Sequence, residues 1–578
     1  MKALFTCLVA TSLLGCRPSR LRPAPAELQT TAERSQYTRT GRYAETVALC
    51  QAFARAYDGV RCDTIGATAE GRPIVALVIA RRPRLPVIYV QAGIHSGEIE
   101  GKDAGFSFIR DLLDGKVAPD ALEHVSVVFV PVLNVDGHER FGPNYRPNQR
   151  GPEETGVRSN AQRLNLNRDY VKADAPETQA VLRVIATYDP VMLVDLHTTD
   201  GAKFEHDISV SLTPIAPRGD GLDELGNALS STLGARLTAL GHLPVDFYPS
   251  FVDDERPHSG FTRGEAPPRF SVSYMAARSR LGILVETHSW RTYKERAVST
   301  YHTLQALFED ATRNAATWRQ VVDAADRRDH QLAGTDVTLI WKVSPASREI
   351  EFRGYAYERR ISDLTGGIWL VYDETKPEIW RVPLYDHLEP DVIVSAPRGG
   401  YIVEGGFANQ VAALLDRHGI KWRRIEDLSS RELEVFRVTA SDLKATYENR
   451  TRASLQGAWS RERRTPDAGA IFVPIRQPKA RLILHLLEPS LPDSLAQWGL
   501  FNATFEHKEY IEPYVMEEAA RAMLAQQPGL RAEYEAALTS DPSLVTPEAK
   551  LDWFYRRHPT WDERTNLLPV YRIDAEPR

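Results

Sequence analysis

Five short, almost unbroken apolar runs constrain this chain more than anything else in it: 73–80 (PIVALVIA), 86–92 (PVIYVQA), 125–133 (VSVVFVPVL), 191–196 (VMLVDL) and 281–285 (LGILV). Runs of this length cannot span a membrane, and they lack a polar alternate position, so each reads as a strand covered on both faces. Helical patterns lie between them. Ile99, Phe106, Ile109 and Leu113 recur at helical spacing, Pro176 opens a helix over 176–188, and Gly241 closes one over 222–240. This alternation predicts an α/β fold over residues 36–327, with a mixed, mostly parallel sheet, helices on both faces and a long last helix at 291–327. Beyond it the pattern changes to β-rich segments at 349–358 and 368–372, a helix at 404–420, a mixed segment at 469–485 and a largely helical stretch at 513–554. These predict a second, smaller α+β domain over 328–578, and 578 residues are enough for both.

Composition excludes several classes of function. A net charge of −6 offers no electrostatic footprint for nucleic acid. The four cysteines contain no C-x-x-C pair, so a zinc ribbon or thioredoxin-type site is ruled out and any metal must be held by His and carboxylates. The absence of G-x-S-x-G disfavours a serine hydrolase. At the start of the chain, Lys2 precedes an apolar stretch over 3–14 with the layout of a secretory signal. Leu13-Leu14-Gly15-Cys16 resembles a bacterial lipobox, which implies cleavage before Cys16, lipid attachment to it, and an exported chain held at the cell envelope by a tether over 16–35. Cys50 and Cys62 then remain in an oxidising compartment, where their spacing suits either a disulfide or two buried thiols.

In open α/β sheets, sites form beyond the carboxyl ends of the strands. Three such ends carry metal chemistry here. His95-Ser96-Gly97-Glu98 follows the run 86–92 and leads into a helix beginning near Gly97; His197 ends the run 191–196; Glu286 ends the run 281–285. A catalytic zinc needs three protein ligands, an open position for water and a base beside it, and His95, Glu98, His197 and Glu286 can supply those ligands and that base. The H-x-x-E spacing alone is weak: His485-Leu486-Leu487-Glu488 repeats it in an apolar segment with no companions, and reads as coincidence. Arg168 offers a planar fork for bidentate capture of a carboxylate, with Asn167 as a further donor.

His95-Ser96-Gly97-Glu98, then Asn165-Leu166-Asn167-Arg168-Asp169-Tyr170, then His197, then Glu286 resembles the carboxypeptidase A-like zinc carboxypeptidase family over roughly residues 36–325, with a C-terminal extension similar to that of bacterial members. The resemblance implies one zinc on His95, Glu98 and His197. It implies that Asn167 and Arg168 grip the terminal carboxylate of a peptide, and that Glu286 is the general base. It calls for an arginine at the oxyanion, for which Arg146 and Arg150 are the candidates and Arg146 is favoured. Tyr274 resembles the family's substrate-capping tyrosine, at a shorter interval from Glu286. One position departs: where the family often has an aspartate behind the first imidazole, this chain has Asn165, whose amide still accepts a hydrogen bond but raises ligand basicity less. The implied activity is an exported, lipid-anchored metallocarboxypeptidase. Its rivals are a zinc amidase or peptidase acting on cell-wall peptides, and an inactive envelope-binding lipoprotein.

Overall fold

The apolar runs form the middle of an eight-stranded sheet with the order Val60–Ala67, Pro73–Ile79, Ser126–Val130, Val87–Ala92, Met192–Thr199, Leu281–His288, Ile208–Thr213, Pro244–Val245. The computed structural model describes residues 26–199 and 201–577, so the signal segment and Cys16 lie outside the described residues. Ser126–Val130, Val87–Ala92, Met192–Thr199 and Leu281–His288 pair in parallel. Antiparallel neighbours flank this group on both sides, which makes the sheet mixed. Every residue of Val87–Ala92, Ser126–Val130 and Met192–Thr199 is buried, as continuous apolar runs require.

Three strands of this sheet carry no apolar run: Val60–Ala67, Ile208–Thr213 and the two-residue Pro244–Val245. Val60–Ala67 sits at the sheet edge with Arg61, Asp63 and Thr64 partly exposed, the usual polar dress of an edge strand, and Ile208–Thr213 (ISVSLT) alternates because one side faces a cavity.

Helix Glu100–Leu113 packs on Tyr293–Asp329, which also supports Leu222–Ala239, while Tyr43–Ala56 and Pro176–Tyr188 lie against Val60–Ala67. Local chemistry sets their ends. Thr292 and Glu295 form a reciprocal capping box at the start of the long helix, and Gly241 takes φ 90° just past Leu222–Ala239. A disulfide joins Cys50 of the helix Tyr43–Ala56 to Cys62 of the edge strand, with the Cα atoms 5.4 Å apart. The folded body begins before residue 36: Leu28 and Ala32, within the segment expected to be a tether, are buried, and Arg110 pairs with Glu33 at 2.6 Å.

After Asp329 the chain builds three further sheets. The long hairpin Arg348–Ile361 and Ile368–Tyr385 pairs back onto Phe261–Thr262, and Asp336–Val343 pairs with Leu388–Ser395. An antiparallel six-stranded sheet follows, in the order Arg423–Arg424, Ile471–Pro474, Gly400–Val403, Leu567–Ile573, Arg431–Tyr447, Arg450–Arg464. The hydrophobic core runs through from the first region to the second: Val90 and Leu193 belong to the same buried cluster as Leu415, Leu484 and Trp498.

Candidate active site

Register brings the site together. In the parallel pair Met192–Thr199 and Leu281–His288, Glu286 stands directly beside His197, and in-register neighbours share a sheet face. Asp195, two residues before His197, lies on that same face. His95 and Glu98 come from the turn after Val87–Ala92, closed by the Glu98 N–H donating to the His95 carbonyl at 2.9 Å. The helix therefore begins at Glu100, later than the apolar spacing predicts, because His95–Glu98 must curl to aim both side chains inward.

His95, Glu98 and His197 offer ligand atoms that all lie within 4.8 Å of one another, and among the described residues theirs is the one such group. His197 Nδ1 is 2.8 Å from Glu98 Oε2. His95 Nδ1 lies 3.1 Å from Glu98 Oε1, yet it is buried and makes no hydrogen bond. Its other nitrogen, Nε2, donates to Asn165 Oδ1 at 3.0 Å, so the Nδ1 lone pair points into the group. Two imidazole nitrogens and a carboxylate, buried and converging, fit a zinc ion.

Behind the ligands the two imidazoles differ. Asn165 backs His95 with a neutral amide, whereas His197 Nε2 lies 3.0 Å from the Asp195 carboxylate, itself fully buried and bonded by the Ser271 hydroxyl. Burial drives the His95 pKa down. For His197 burial acts the same way, but the Asp195 carboxylate overcomes it and raises the imidazole well above its usual range. Burial opposes the charge on Glu98, and His95 and Arg146 more than offset it, holding the carboxyl well below its ordinary range.

The three ligands open onto a cavity of about 590 Å³ that is also lined by Glu286, Asn167, Arg168 and Arg146. Arg146 crosses above Gly97 and brings Nη2 to 3.2 Å from Glu98 Oε1. A Cβ on Gly97 would lie 2.5 Å from Arg146 Cγ and 2.9 Å from the Gly156 carbonyl, so this close approach requires glycine. Arg150 turns away to pair with Glu374 at 2.5 Å and does not line the cavity. Asn167 Oδ1 accepts from the Ser271 N–H at 2.9 Å, which leaves its amide NH2 to face the cavity. The Arg168 guanidinium lies 4.0 Å above the Phe270 ring centroid and donates to the Asn167 carbonyl at 2.7 Å.

One sequence expectation is corrected. Tyr274 is fully buried and is not in the cavity wall: on the short helix Ser271–Ala277 it points the other way, donating its hydroxyl to His418 Nδ1 at 2.9 Å and packing on Tyr170. His418 Nε2 donates to the Val171 carbonyl, which leaves Nδ1 as the acceptor, and burial pushes this imidazole down to about 3. The tyrosine that does line the cavity is Tyr248, whose hydroxyl accepts from Thr199 Oγ1 at 3.3 Å. Sequence reasoning also missed Arg158, which lines the cavity and donates to Glu98 Oε1 at 3.3 Å, and Asp195. Nothing in one sequence distinguishes Arg158 or Tyr248. Asp195 could have been found from its place two residues before His197 in a strand. The second H-x-x-E pair is elsewhere and structural: Glu488 holds Arg572 at 2.6 Å, and burial pushes His485 down to about 3.

No curated protein matches the chain. Among solved structures, a metallo-carboxypeptidase from Burkholderia cenocepacia is 16% identical, with 45% of this chain and 67% of that one covered and a TM-score of 0.35. A metallo-carboxypeptidase from Pseudomonas aeruginosa is 19% identical (46% and 68% covered, TM-score 0.36), and carboxypeptidase A from Helicoverpa armigera is 15% identical (48% and 74% covered, TM-score 0.36). The chain thus spans about two thirds of the length of each of these two bacterial metallo-carboxypeptidases. The zinc carboxypeptidase family, peptidase M14, matches residues 46–362, more than half of the chain and a span that contains every group lining the metal end of the cavity. This protein therefore belongs to the zinc carboxypeptidase family, and its metal is a single zinc.

Proposed function

We propose that the chain is an exported zinc carboxypeptidase that removes the last residue of peptides with a free C-terminal carboxylate. The observation that carries this reading is the presence of Arg168 and Asn167 in the same cavity as His95, Glu98, His197 and Glu286. A forked guanidinium held flat on Phe270, beside an amide donor, suits the two oxygens of a terminal carboxylate. Zinc, when bound, polarises a carbonyl and makes water a nucleophile at neutral pH.

The remaining work falls to side chains. Glu286, beside His197 in register, takes the proton of the attacking water and hands it to the leaving amine. Arg146 and Arg158, both within 3.3 Å of Glu98, present donors at the metal end of the cavity, where negative charge develops on the carbonyl oxygen. Fixing the substrate's terminus at Arg168 sets which peptide bond lies beside Glu286. Export and lipid attachment at Cys16 rest on residues 2–16 alone, and the mass of the mature N-terminus checks them.

The test uses the zinc-loaded full chain and matched peptides with free and amidated C-termini. Cleavage confined to free carboxylates is expected, and equal cleavage of both rejects the carboxypeptidase reading. Release of cell-wall fragments in preference to linear peptides would favour the amidase rival. Glu286→Gln is expected to lower kcat by roughly 10²- to 10⁴-fold while zinc content stays the same.

A further inference from the structure

The cavity of about 590 Å³ that holds the metal ligands and Arg168 extends past the metal end, and its farther wall carries a carboxylate with no cation beside it. Sheet register gives the direction. Ile208–Thr213 runs antiparallel to Leu281–His288, so Ser209, Ser211 and Thr213 stand beside Glu286, Leu284 and Gly282 in turn. These same-face positions lead away from the glutamate, and Gly282 lies four residues, about 13 Å, down its strand. Val272 of the helix Ser271–Ala277 covers that point so closely that a Cβ on Gly282 would lie 2.5 Å from its carbonyl oxygen. Just past Thr213, the N–H groups of Ile215 and Ala216 both donate to Glu265 Oε1, at 2.7 and 3.0 Å. The two bonds fix a half-buried carboxylate in this wall.

The carboxylates at the two levels are surrounded differently. Glu98 has Arg146, Arg158 and two imidazoles around it. Among the described residues no Lys, Arg or His forms an ion pair with Glu265. Arg263, on the same loop, faces Asp246 at 3.4 Å, and Arg218, which lines a smaller cavity behind this wall, is paired with Asp220 at 3.1 Å. A carboxylate held in a cavity wall without a counter-charge favours a cationic visitor over an apolar one. The wall also suits the rest of such a visitor. Leu284 and Ile215 offer apolar surface to an alkyl stem, and Thr213 and Ser273, which line both cavities as Glu265 does, add hydroxyl acceptors. Lysine and arginine side chains have this layout, an apolar stem with a charged head. With its carboxylate on Arg168 and its head on Glu265, a C-terminal basic residue meets an opposite charge at each of its own two ends.

We propose that Glu265 selects the side chain that is removed, and that the substrates of this chain are peptides ending in lysine or arginine. This rests on the carboxypeptidase reading given above.

The test is steady-state kinetics on the zinc-loaded full chain, with peptides that differ only in a final Lys, Arg, Leu or Glu. The kcat/KM for Lys and Arg is expected to exceed that for Leu by roughly 10- to 100-fold, the weight of a hydrogen bond between charged groups, with Glu the poorest. Glu265→Gln keeps an oxygen for the Ile215 and Ala216 N–H groups and removes the charge. It is expected to lower the ratio of Lys to Leu cleavage by roughly 10-fold or more, with zinc content unchanged. A wild type that favours Leu or Glu, or an equal fall for all four peptides in Glu265→Gln, overturns the proposal. If the unmodified chain cleaves free and amidated peptides alike, the carboxypeptidase reading has failed first and this proposal falls with it. Cleavage confined to free carboxylates but without preference for Lys or Arg sinks the proposal alone.

Discussion

His95 and His197 face the metal position through the same ring nitrogen but lean on different supports, an amide for the first and a buried carboxylate for the second. A charged acceptor makes the imidazole more basic and holds it in one tautomer. Asp195→Asn is therefore expected to weaken zinc binding by about 10- to 100-fold, read by competition with a chromogenic chelator, with no loss of fold. The clearance at Gly97 gives a second expectation at this scale. Gly97→Ala places a methyl group where Arg146 and the Gly156 carbonyl already sit, so kcat/KM should fall by roughly 100-fold as Arg146 is displaced, while Asn167 and Arg168 stay in place. That His95, Glu98, His197 and Glu286 converge on one cavity was legible because each ends a buried strand or follows one, and strand ends converge. Tyr274 was misread because a sequence interval does not say which side of a helical turn faces the cavity.

Among the elements, the long helix Tyr293–Asp329 ends on a carboxylate at its unfavourable pole. Asp329 is buried, accepts from Ser279 Oγ at 2.9 Å, and lies 3.3 Å from Arg481 of the helix Ala480–Leu487. Burial outweighs Arg481 and pushes its pKa up to about 6, from 3.8. A carboxyl whose folded pKa is raised contributes most below its unfolded value, and that contribution is lost as pH climbs through the folded one. Between pH 4 and 7 this group should remove about 2 kcal/mol of stability, and Asp329→Asn should be free of that loss. Denaturant unfolding of both proteins at the two pH values checks it: the variant's stability relative to the wild type must rise with pH. Helices were readable from their periodicity, and the central strands from unbroken apolar runs. The edge strand Val60–Ala67 was not, since partly exposed polar residues interrupt its apolar pattern.

Across the whole molecule, the boundary drawn at 327 falls at the end of the long helix, yet packing and polar contacts continue past it. Tyr274 and Arg278 bond His418, Arg269 pairs with Asp493 at 2.9 Å, and one apolar cluster runs through both regions. A chain cut after residue 362, where the family match ends, would expose that shared core. It is expected to lack a cooperative thermal transition and to be digested rapidly in limited proteolysis, whereas the full chain resists. Composition could not reveal this, because a change in pattern marks a change in architecture and carries no information about how much surface the two parts bury against each other.

The side-by-side alignment of Glu286 with His197 leaves this lineage little room for length variation. Because neighbouring side chains in a strand point to opposite faces, inserting or deleting a single codon between Leu281 and Glu286 would swing the glutamate out of the cavity and turn the whole strand over. Descendants of this chain can lengthen their loops and exchange cavity-wall residues, but these two strands must be inherited at constant length.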